Sequence, residues 1–528
     1  MPATDPVGVP NVHKLERALL VNRNELFRLG SAILFIVVIM LFAMSRGPGG
    51  MHGTLLVAAA MIGGYMALNI GANDVANNVG PAVGSHAITL AGAIVIAAIF
   101  EAGGALIAGG DVVGTIKNGI INPALIQDGT TFIWVMIGAL LAAALWLNVA
   151  TALGAPVSTT HAIVGGVLGA GIAAGGWGIA NWSEVARIAA SWVISPVMGG
   201  LIAAGFLYLI KRTITYQPDI LLAARRMVPL LIAVMVWAFV TYLAMKGLKH
   251  IWKVGIVTAG GIGLVAAAAA FGLVRVRIGQ VFASLPAGKD GMNEMFTVPL
   301  VFAAALLSFA HGANDVANAV GPLAAINDAV VHGGVATKAH IPIWVMLVGA
   351  AGISIGLALY GPKLIRTVGS EITELDKARA FCIALSAAIT VIIASQLGLP
   401  VSSTHIAVGG VFGVGFLREY LKVNYARMLE EIRAHHQGAD AATVDAFLAR
   451  FDAASVSEKT ELLRALKTKS GDVELHKKER KGLRNINRIE LVKRSLLLRI
   501  AAAWLITVPA TAVVAAMIYF MLRGAMLP

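Results

Sequence analysis

Charge and cysteine are scarce in this sequence. Charged residues make up 13% of its 528 residues, about half the share of a soluble domain, which excludes an ordinary soluble enzyme. The single cysteine, Cys382, excludes a disulfide framework and any multi-cysteine metal cluster. The sequence contains no phosphate-binding Gly-x-x-x-x-Gly-Lys-Ser/Thr motif, no paired metal-ligand histidines and no nucleophile elbow. We therefore expect neither ATP hydrolysis nor another enzymatic reaction.

Apolar residues are abundant instead, at 58% of the chain, and the mean hydropathy is +0.80. Because about 20 apolar residues cross a bilayer, the sequence predicts an all-α, polytopic protein of the plasma or bacterial inner membrane with about 12–13 spans. The predicted spans are 29–45, 52–70, 88–109, 131–153, 156–175, 188–210, 228–246, 254–273, 296–312, 341–361, 378–398, 400–417 and 497–522.

The formal net charge of +13 indicates how the spans are oriented. Basic loops of membrane proteins lie on the cytoplasmic side. With a cytoplasmic N-terminus and every segment crossing, most basic loops fall inside, whereas Lys246, Lys249 and Lys253 fall outside. If segment 156–175 entered and left on one side, the basic cluster at 211–226 would move outside. We favour the crossing topology, in which the positive charge orients the spans and requires no nucleic acid.

Charges of both signs concentrate in one segment, 418–494, which is predicted to be a helical cytosolic insertion. Regulation or nutrient sensing through this insertion is an alternative role for it. The predicted units are an N-terminal cytosolic segment with an extra span (1–50), a first repeat (51–210), a linker with two spans (211–290), the first part of a second repeat (291–417), the insertion (418–494) and a final span that completes the second repeat (495–528).

Two motifs occur twice. Gly71-Ala-Asn-Asp-Val-Ala-Asn-Asn-Val-Gly-Pro81 returns, with one change, at residues 312–322, and Pro156-Val-Ser-Thr-Thr-His161 returns, also with one change, at residues 400–405. Their nearly equal offsets, 241 and 244 residues, indicate a duplication. In the crossing topology an odd number of spans separates the copies, so they run in opposite directions. Such inverted repeats are typical of secondary transporters with a binding site at the membrane midplane.

The first motif places an acid and two amides deep in the membrane in each copy. An ionised aspartate there costs several kcal/mol without a partner, and no Lys or Arg lies within either motif. Carboxylate and amide oxygens suit a small hard cation. Glycine before the motif and Gly-Pro after it favour a helix break that exposes further carbonyl ligands. The candidate residues are Asn73, Asp74, Asn77, Asn314, Asp315 and Asn318.

The second motif places three consecutive hydroxyl residues before a glycine-rich apolar run. Such residues cap a helix, and free backbone N–H groups at the same helix terminus bind anions. Two such termini facing each other would suit a tetrahedral oxyanion, although plain capping is the simpler interpretation of any single serine. The candidate residues are Ser158, Thr159, Thr160, Ser402, Ser403 and Thr404.

Glu101 is a further deep acid, without a clear acidic counterpart in the second copy. A third ion site, a proton relay, a gating role and a hydrogen-bonded structural role all stay open for it. His161 and His405 close the hydroxyl motifs, where a structural role is at least as natural as a proton relay.

On the paired Gly-Ala-Asn-Asp-Val-Ala-Asn stretches, the paired Pro-Val-Ser stretches and the Ile99-Phe-Glu101 run, most of residues 52–420 resembles the inorganic phosphate transporter family. That family includes bacterial low-affinity phosphate permeases and eukaryotic sodium–phosphate symporters. The resemblance implies inverted repeats, phosphate at the midplane and coupling to sodium or protons. It implies phosphate ligation by the six hydroxyl residues with Asn73 and Asn314, and cation coupling at Asp74, Asn77, Asp315, Asn318 and Glu101. The position of the charged insertion and the extra N-terminal span depart from the eukaryotic members.

We therefore expect symport of inorganic phosphate with sodium ions or protons by alternating access, without a bound cofactor. The partners are phosphate, the coupling cation and the lipid bilayer, and a homodimer is compatible with the sequence. A sulfate permease of the same family is one alternative. An anion channel is another, although it needs a continuous polar path, and the polar residues cluster in two sets instead.

Overall fold

The fold is helical throughout the described chain. The structure, a computed structural model, describes residues 12–126, 128–152, 157–247, 254–332, 341–371, 376–435, 441–453 and 494–526. The helices of the first half are α1 (Val12–Arg46), α2 (Met51–Asn73), α3 (Val75–Gly84), α4 (Leu90–Ala108), α5 (Gly110–Asn118), α6 (Gly129–Ala152), α7 (Thr159–Gly175), α8 (Trp182–Ile210), α9 (Ile220–Gly247) and α10 (Ile256–Val281). Those of the second half are α11 (Gly288–Met295), α12 (Thr297–His332), α13 (Ile343–Glu371), α14 (Lys377–Gln396), α15 (Ser403–His435), α16 (Ala441–Ala453) and α17 (Arg494–Met526).

Eleven helical segments of the described residues are long and apolar enough to cross a membrane. The prediction of an all-α, multi-pass membrane protein is confirmed. Two predicted spans differ from the structure. Segment 156–175 corresponds to the 17-residue helix α7, which at about 1.5 Å per residue is shorter than the bilayer core. Segment 400–417 corresponds to the first part of the longer helix α15. The charged insertion continues from α15 without a break, and its residues 436–440 and 454–493 lie outside the described chain.

The predicted helix break is present in one copy of the first motif and absent from the other. Asp74 is a single turn residue between α2 and α3. In the second copy, α12 runs without interruption through Asp315 and past Pro322. Its residues are buried from Ala303 to Val330, and packing on all sides stabilises a helix against the hydrogen bond that a proline removes.

The helices pair across the two halves of the chain. The first-motif helix α2 packs on α13, and its counterpart α12 packs on α4. Gly71 lies against the carbonyl of Ile353, and Gly312 lies against the carbonyl of Glu101. In both places a Cβ would overlap a backbone oxygen, so only glycine permits this approach of the helices.

The helices that follow the hydroxyl motifs are exchanged in the same way. Helix α7 packs on α17 through Gly165 and Gly169, while α15 packs on α8 through Gly409 and Gly413. The 244-residue offset relates these glycines as it relates the motifs. Each half of the chain therefore completes the helix packing of the other, while the relative direction of the two repeats stays a prediction.

One of the three lysines that the predicted topology places outside has an acidic partner. Lys246, at the end of α9, forms an ion pair with Asp111 on α5. A paired lysine contributes little net charge to the loop that bears it. This contact therefore accounts for one exception to the charge pattern, while Lys249 and Lys253 lie outside the described residues.

Candidate functional site

The two hydroxyl motifs meet at the N-termini of α7 and α15. Ser158 caps α7, and its Oγ accepts a hydrogen bond from the His161 N–H at 3.2 Å. Ser402 Oγ accepts one from the His405 N–H at 3.4 Å. Thr160 Oγ1 donates to the Val401 carbonyl oxygen at 3.0 Å, which joins the first motif to the second. The serines at the start of each motif are therefore caps in this structure, as the simpler interpretation of the motif expects.

Thr159 connects the first-motif acids of both copies. Its hydroxyl donates to Asp74 Oδ2 at 2.8 Å and lies 3.4 Å from Asp315 Oδ2. All three side chains are at most 4% exposed. Residues separated by 241 positions in sequence thus share one buried centre with the hydroxyl motif.

The amide side chains of the first motif form hydrogen bonds between the two halves of the chain. Asn318, from the second half, donates to the hydroxyls of Thr159 at 3.1 Å and Thr160 at 3.2 Å in the first half. Asn77, from the first half, donates to the Thr404 hydroxyl in the second at 2.9 Å. Asn77 and Asn318 occupy equivalent positions in the two copies, as Thr160 and Thr404 do. Any movement of one half against the other must therefore act on these bonds.

Asn314 holds the turn between α14 and α15. Its amide donates to Ser395 Oγ at 2.9 Å and to the Leu399 carbonyl at 3.1 Å, and its oxygen accepts from the Val401 N–H at 3.1 Å. Gly398 supplies the left-handed backbone of this turn, with φ of +66°, a conformation that residues with a Cβ rarely adopt. The position of the second hydroxyl motif therefore depends on Asn314.

A buried polar chain extends from Glu101 to Asp315. Glu101 accepts from the Asn78 amide at 2.8 Å and contacts His311 Nδ1 at 2.7 Å. His311 Nε2 lies 3.3 Å from Asp315 Oδ2. Sequence reasoning missed His311 as a site residue, although its position four residues before Asp315 puts both on one helix face.

The other half contains no such polar chain at the equivalent positions. Since Gly71 packs on Ile353 as Gly312 packs on Glu101, Ile353 corresponds to Glu101. The motif offset makes Ile70 the counterpart of His311 and Ala319 the counterpart of Asn78. The two halves therefore share the Asp/Asn and hydroxyl groups and differ in the shell that supports them.

The centre is acidic. Asp74, Asp315 and Glu101 are buried, and in the described part of the chain none of them forms an ion pair with Lys or Arg. Ligand atoms of Asp74, His311 and Asp315 lie within 4.8 Å of one another. Because buried carboxylates need compensating charge, this arrangement is suited to binding a cation.

The remaining candidates lie around this centre. Ser403 is buried, and its hydroxyl has no hydrogen-bond partner among the described residues. Asn73 is half-buried next to Asp74. The rings of His161 and His405 lie with centroids 4.8 Å apart, and His161 also contacts the Trp192 ring edge-on at 3.8 Å. The structure thus brings all the predicted residues to one region and adds His311 and Asn78 to them.

The membrane-spanning helices and a buried polar centre shared by two duplicated halves define a polytopic membrane transport protein. The family model described as "Phosphate transporter family" matches residues 70–515. A Helicobacter pylori protein (strain J99), provisionally named a phosphate permease, is 52% identical over 97% of this chain and 98% of its own. Arabidopsis thaliana "Inorganic phosphate transporter 2-1, chloroplastic" is 37% identical over 72% of this chain and 69% of its own.

A solved structure titled "The sodium-dependent phosphate transporter" superposes with a TM-score of 0.73 at 31% identity, covering 90% of this chain and all of that one. The chain belongs to the phosphate transporter family. The family and its fold support phosphate transport, and no relative among these is named as an enzyme.

Proposed function

We propose that the chain is a sodium-coupled phosphate symporter that works by alternating access. The observation that carries the proposal is the contact of Thr159 with both Asp74 and Asp315. This contact supports the proposal because the motif that we assign to phosphate lies next to the two acids that we assign to the coupling cations. A transported anion and its coupling cations would then stabilise each other within one buried space.

Charge balance supports coupling. Inorganic phosphate is an anion, and the centre already contains buried carboxylates without Lys or Arg partners among the described residues. Bound cations at Asp74 and Asp315 would reduce the negative charge before phosphate binds. The hydroxyls and the N-termini of α7 and α15 would then supply neutral donors to the phosphate oxygens. Sodium is the preferred cation because the similar solved structure is titled as sodium-dependent.

The helix exchange supports alternating access. Each hydroxyl motif begins a helix that packs on a helix of the other half, α7 on α17 and α15 on α8. Movement of the α7–α17 pair would change the Asn318–Thr160 contact, and movement of the α8–α15 pair would change the Asn77–Thr404 contact. If the repeats are inverted, these two contacts face opposite sides of the membrane.

The test is uptake of labelled phosphate into proteoliposomes, with sodium and pH gradients imposed separately and sulfate as competitor. We expect uptake driven by the sodium gradient and lost in Asp74→Asn and in Asp315→Asn. Asp219→Asn is the matched control, because Asp219 is exposed and only caps α9 through the Leu222 N–H. Uptake driven by the pH gradient alone would contradict sodium coupling, and full sodium-dependent uptake by both variants would refute the assigned acids.

Ser403 offers a separate test of the phosphate site. Its hydroxyl is buried without a protein partner in the described chain, so Ser403→Ala should leave the fold intact while raising the KM for phosphate. Ser195→Ala removes a comparably buried, unpartnered hydroxyl on α8 and should leave the KM unchanged. An unchanged KM in Ser403→Ala would exclude this serine as a ligand.

A further inference from the structure

A large apolar crevice lies between α8, α15 and α17. Its volume is about 1090 Å³, above the roughly 300–1,000 Å³ of typical small-molecule pockets. Its rim is open, since Leu201 is 64% exposed and Leu505 is 81% exposed. Residues of the wall include Trp192, Val197, Phe412, Phe416, Leu505 and Pro509. An apolar opening of this size, on helices that cross the membrane, is accessible to lipid.

The crevice follows two parallel helices. Gly409 lies against the carbonyl of Pro196, and Gly413 lies against that of Gly200, so residue numbers increase in the same direction along α15 and α8. On α8 the wall extends from Ala189 past Trp192 to Ala204. At 1.5 Å per residue, this wall is about 22 Å long, more than half of a hydrocarbon core of about 30 Å. The crevice is therefore long enough for the acyl chains of a lipid in one leaflet.

Basic side chains lie at one end of this wall. Lys211 follows α8, and Arg418 lies between the wall residues Leu417 and Tyr420 on α15. Arg418, Lys289 and Arg379 are close enough to act electrostatically on Lys211. Positive charge at the ends of these two helices would attract an anionic lipid headgroup.

Lys211 is the basic residue of this cluster whose charge lacks an ion-pair partner in the described chain. Its side chain is 9% exposed and lies over the Tyr216 ring, with the Nζ atom 5.4 Å from the ring centre. Within the described residues it forms no ion pair and no side-chain hydrogen bond. Asp376 is nearby but its carboxylate binds the Arg379 guanidinium at 2.7 Å. A nearly buried ammonium group without an ion-pair partner is stabilised by a bound counter-ion.

We propose that an anionic phospholipid binds here, with its acyl chains in the crevice and its phosphate at Lys211 and Arg418. The apolar wall and the basic cluster are adjacent on the same two helices, which is the order of groups in a phospholipid. A free phosphate ion would use the cations and leave the wall exposed. A second protein copy would cover the wall and leave Lys211 without an anion.

The crevice also reaches the first turn of α7, next to the proposed transport site. His161 lines the crevice and directly follows Thr160, whose hydroxyl joins the two hydroxyl motifs. A lipid in the crevice would therefore contact His161, in the first turn of α7. This site is distinct from the proposed phosphate and cation ligands and does not depend on their assignment.

Trp192 provides the probe, because its indole lines the crevice. The protein is placed in phosphatidylcholine vesicles that contain a small fraction of brominated phosphatidylglycerol or brominated phosphatidylcholine. Bromine quenches tryptophan fluorescence, and the part of the quenching that is lost in Trp192→Phe is assigned to Trp192. We expect brominated phosphatidylglycerol to quench it at a several-fold lower mole fraction than brominated phosphatidylcholine. Equal quenching by the two lipids, or none by either, would overturn the proposal.

The cations are tested by Lys211→Gln with Arg418→Gln, and by Lys211→Gln alone in case the double variant is unstable. Both should lose the preference for phosphatidylglycerol while quenching by brominated phosphatidylcholine persists, which shows that the crevice is intact. Arg187→Gln, at the other end of α8, should keep the preference. A preference that survives in the Lys211 variant, or that added inorganic phosphate abolishes, would contradict a lipid site at these residues.

Discussion

The buried chain Asn78–Glu101–His311 allows a direct test of why one half of the molecule has it and the other does not. Glu101→Ile alone leaves the Asn78 amide and His311 Nδ1 buried without the partner that both now contact. Each such group costs about 1–3 kcal/mol, so the single variant should lose about 2–6 kcal/mol of folding free energy.

Replacing all three residues should cost much less. The variant Asn78→Ala, Glu101→Ile, His311→Ile carries the residues of the equivalent positions Ala319, Ile353 and Ile70. Removing all three together leaves none of them without a partner, and such replacements are often neutral or stabilising. Asp315 loses His311 but keeps its contact with Thr159, and it then stands beside an isoleucine, as Asp74 does beside Ile70. We therefore expect the triple variant to be more stable than Glu101→Ile by at least about 2 kcal/mol.

The measurement is unfolding in mixed micelles as the fraction of SDS rises, followed by circular dichroism. His311→Ile alone is the control, because it too leaves Glu101 without one partner and should be less stable than the triple variant. A triple variant that is as unstable as the sum of the three single variants would refute the reasoning. In that case the three residues would not form one energetic unit.

Two further predictions concern helix packing and a buried ion pair. Gly413→Ala should lose about 1–3 kcal/mol of stability, because its Cβ would overlap the Gly200 carbonyl, whereas Gly205→Ala, with open space around it, should be neutral or slightly stabilising in the same SDS titration. Lys117→Met should cost about 3–5 kcal/mol, because Lys117 pairs with Asp328 in the interior, and Asp328→Leu in the same chain should recover most of the loss. Equal stability of the two glycine variants, or no recovery by the second substitution, would contradict these explanations.

Much of the architecture could be predicted from local composition. Apolar runs of span length identify most of the membrane helices because each must satisfy its backbone internally. The duplicated motifs identify Asp74 and Asp315 as related positions. Helix bounds could be predicted less well: α12 continues past Pro322 because tertiary packing surrounds it, which local helix-breaking signals do not show.

Part of the site depends on contacts between distant residues. Thr159 reaches Asp74 across 85 positions and Asp315 across 156, and no periodicity in the sequence determines such distances. His311 appears in the sequence as one histidine beside a glycine. Only the packing of α12 on α4 brings it to Glu101 and makes it part of the acidic centre.

By itself, the sequence determined that this chain is a duplicated, polytopic membrane protein. The length of an apolar run and the identity of two motifs are properties of the sequence and do not depend on how the helices pack. The tertiary structure decided which motif residues meet. It also decided that the halves exchange helices and that a buried lysine, Lys211, lies near the end of an apolar crevice. These features arise where glycines let backbones approach and where buried charges require partners, and both depend on the positions of neighbouring helices rather than on any single segment.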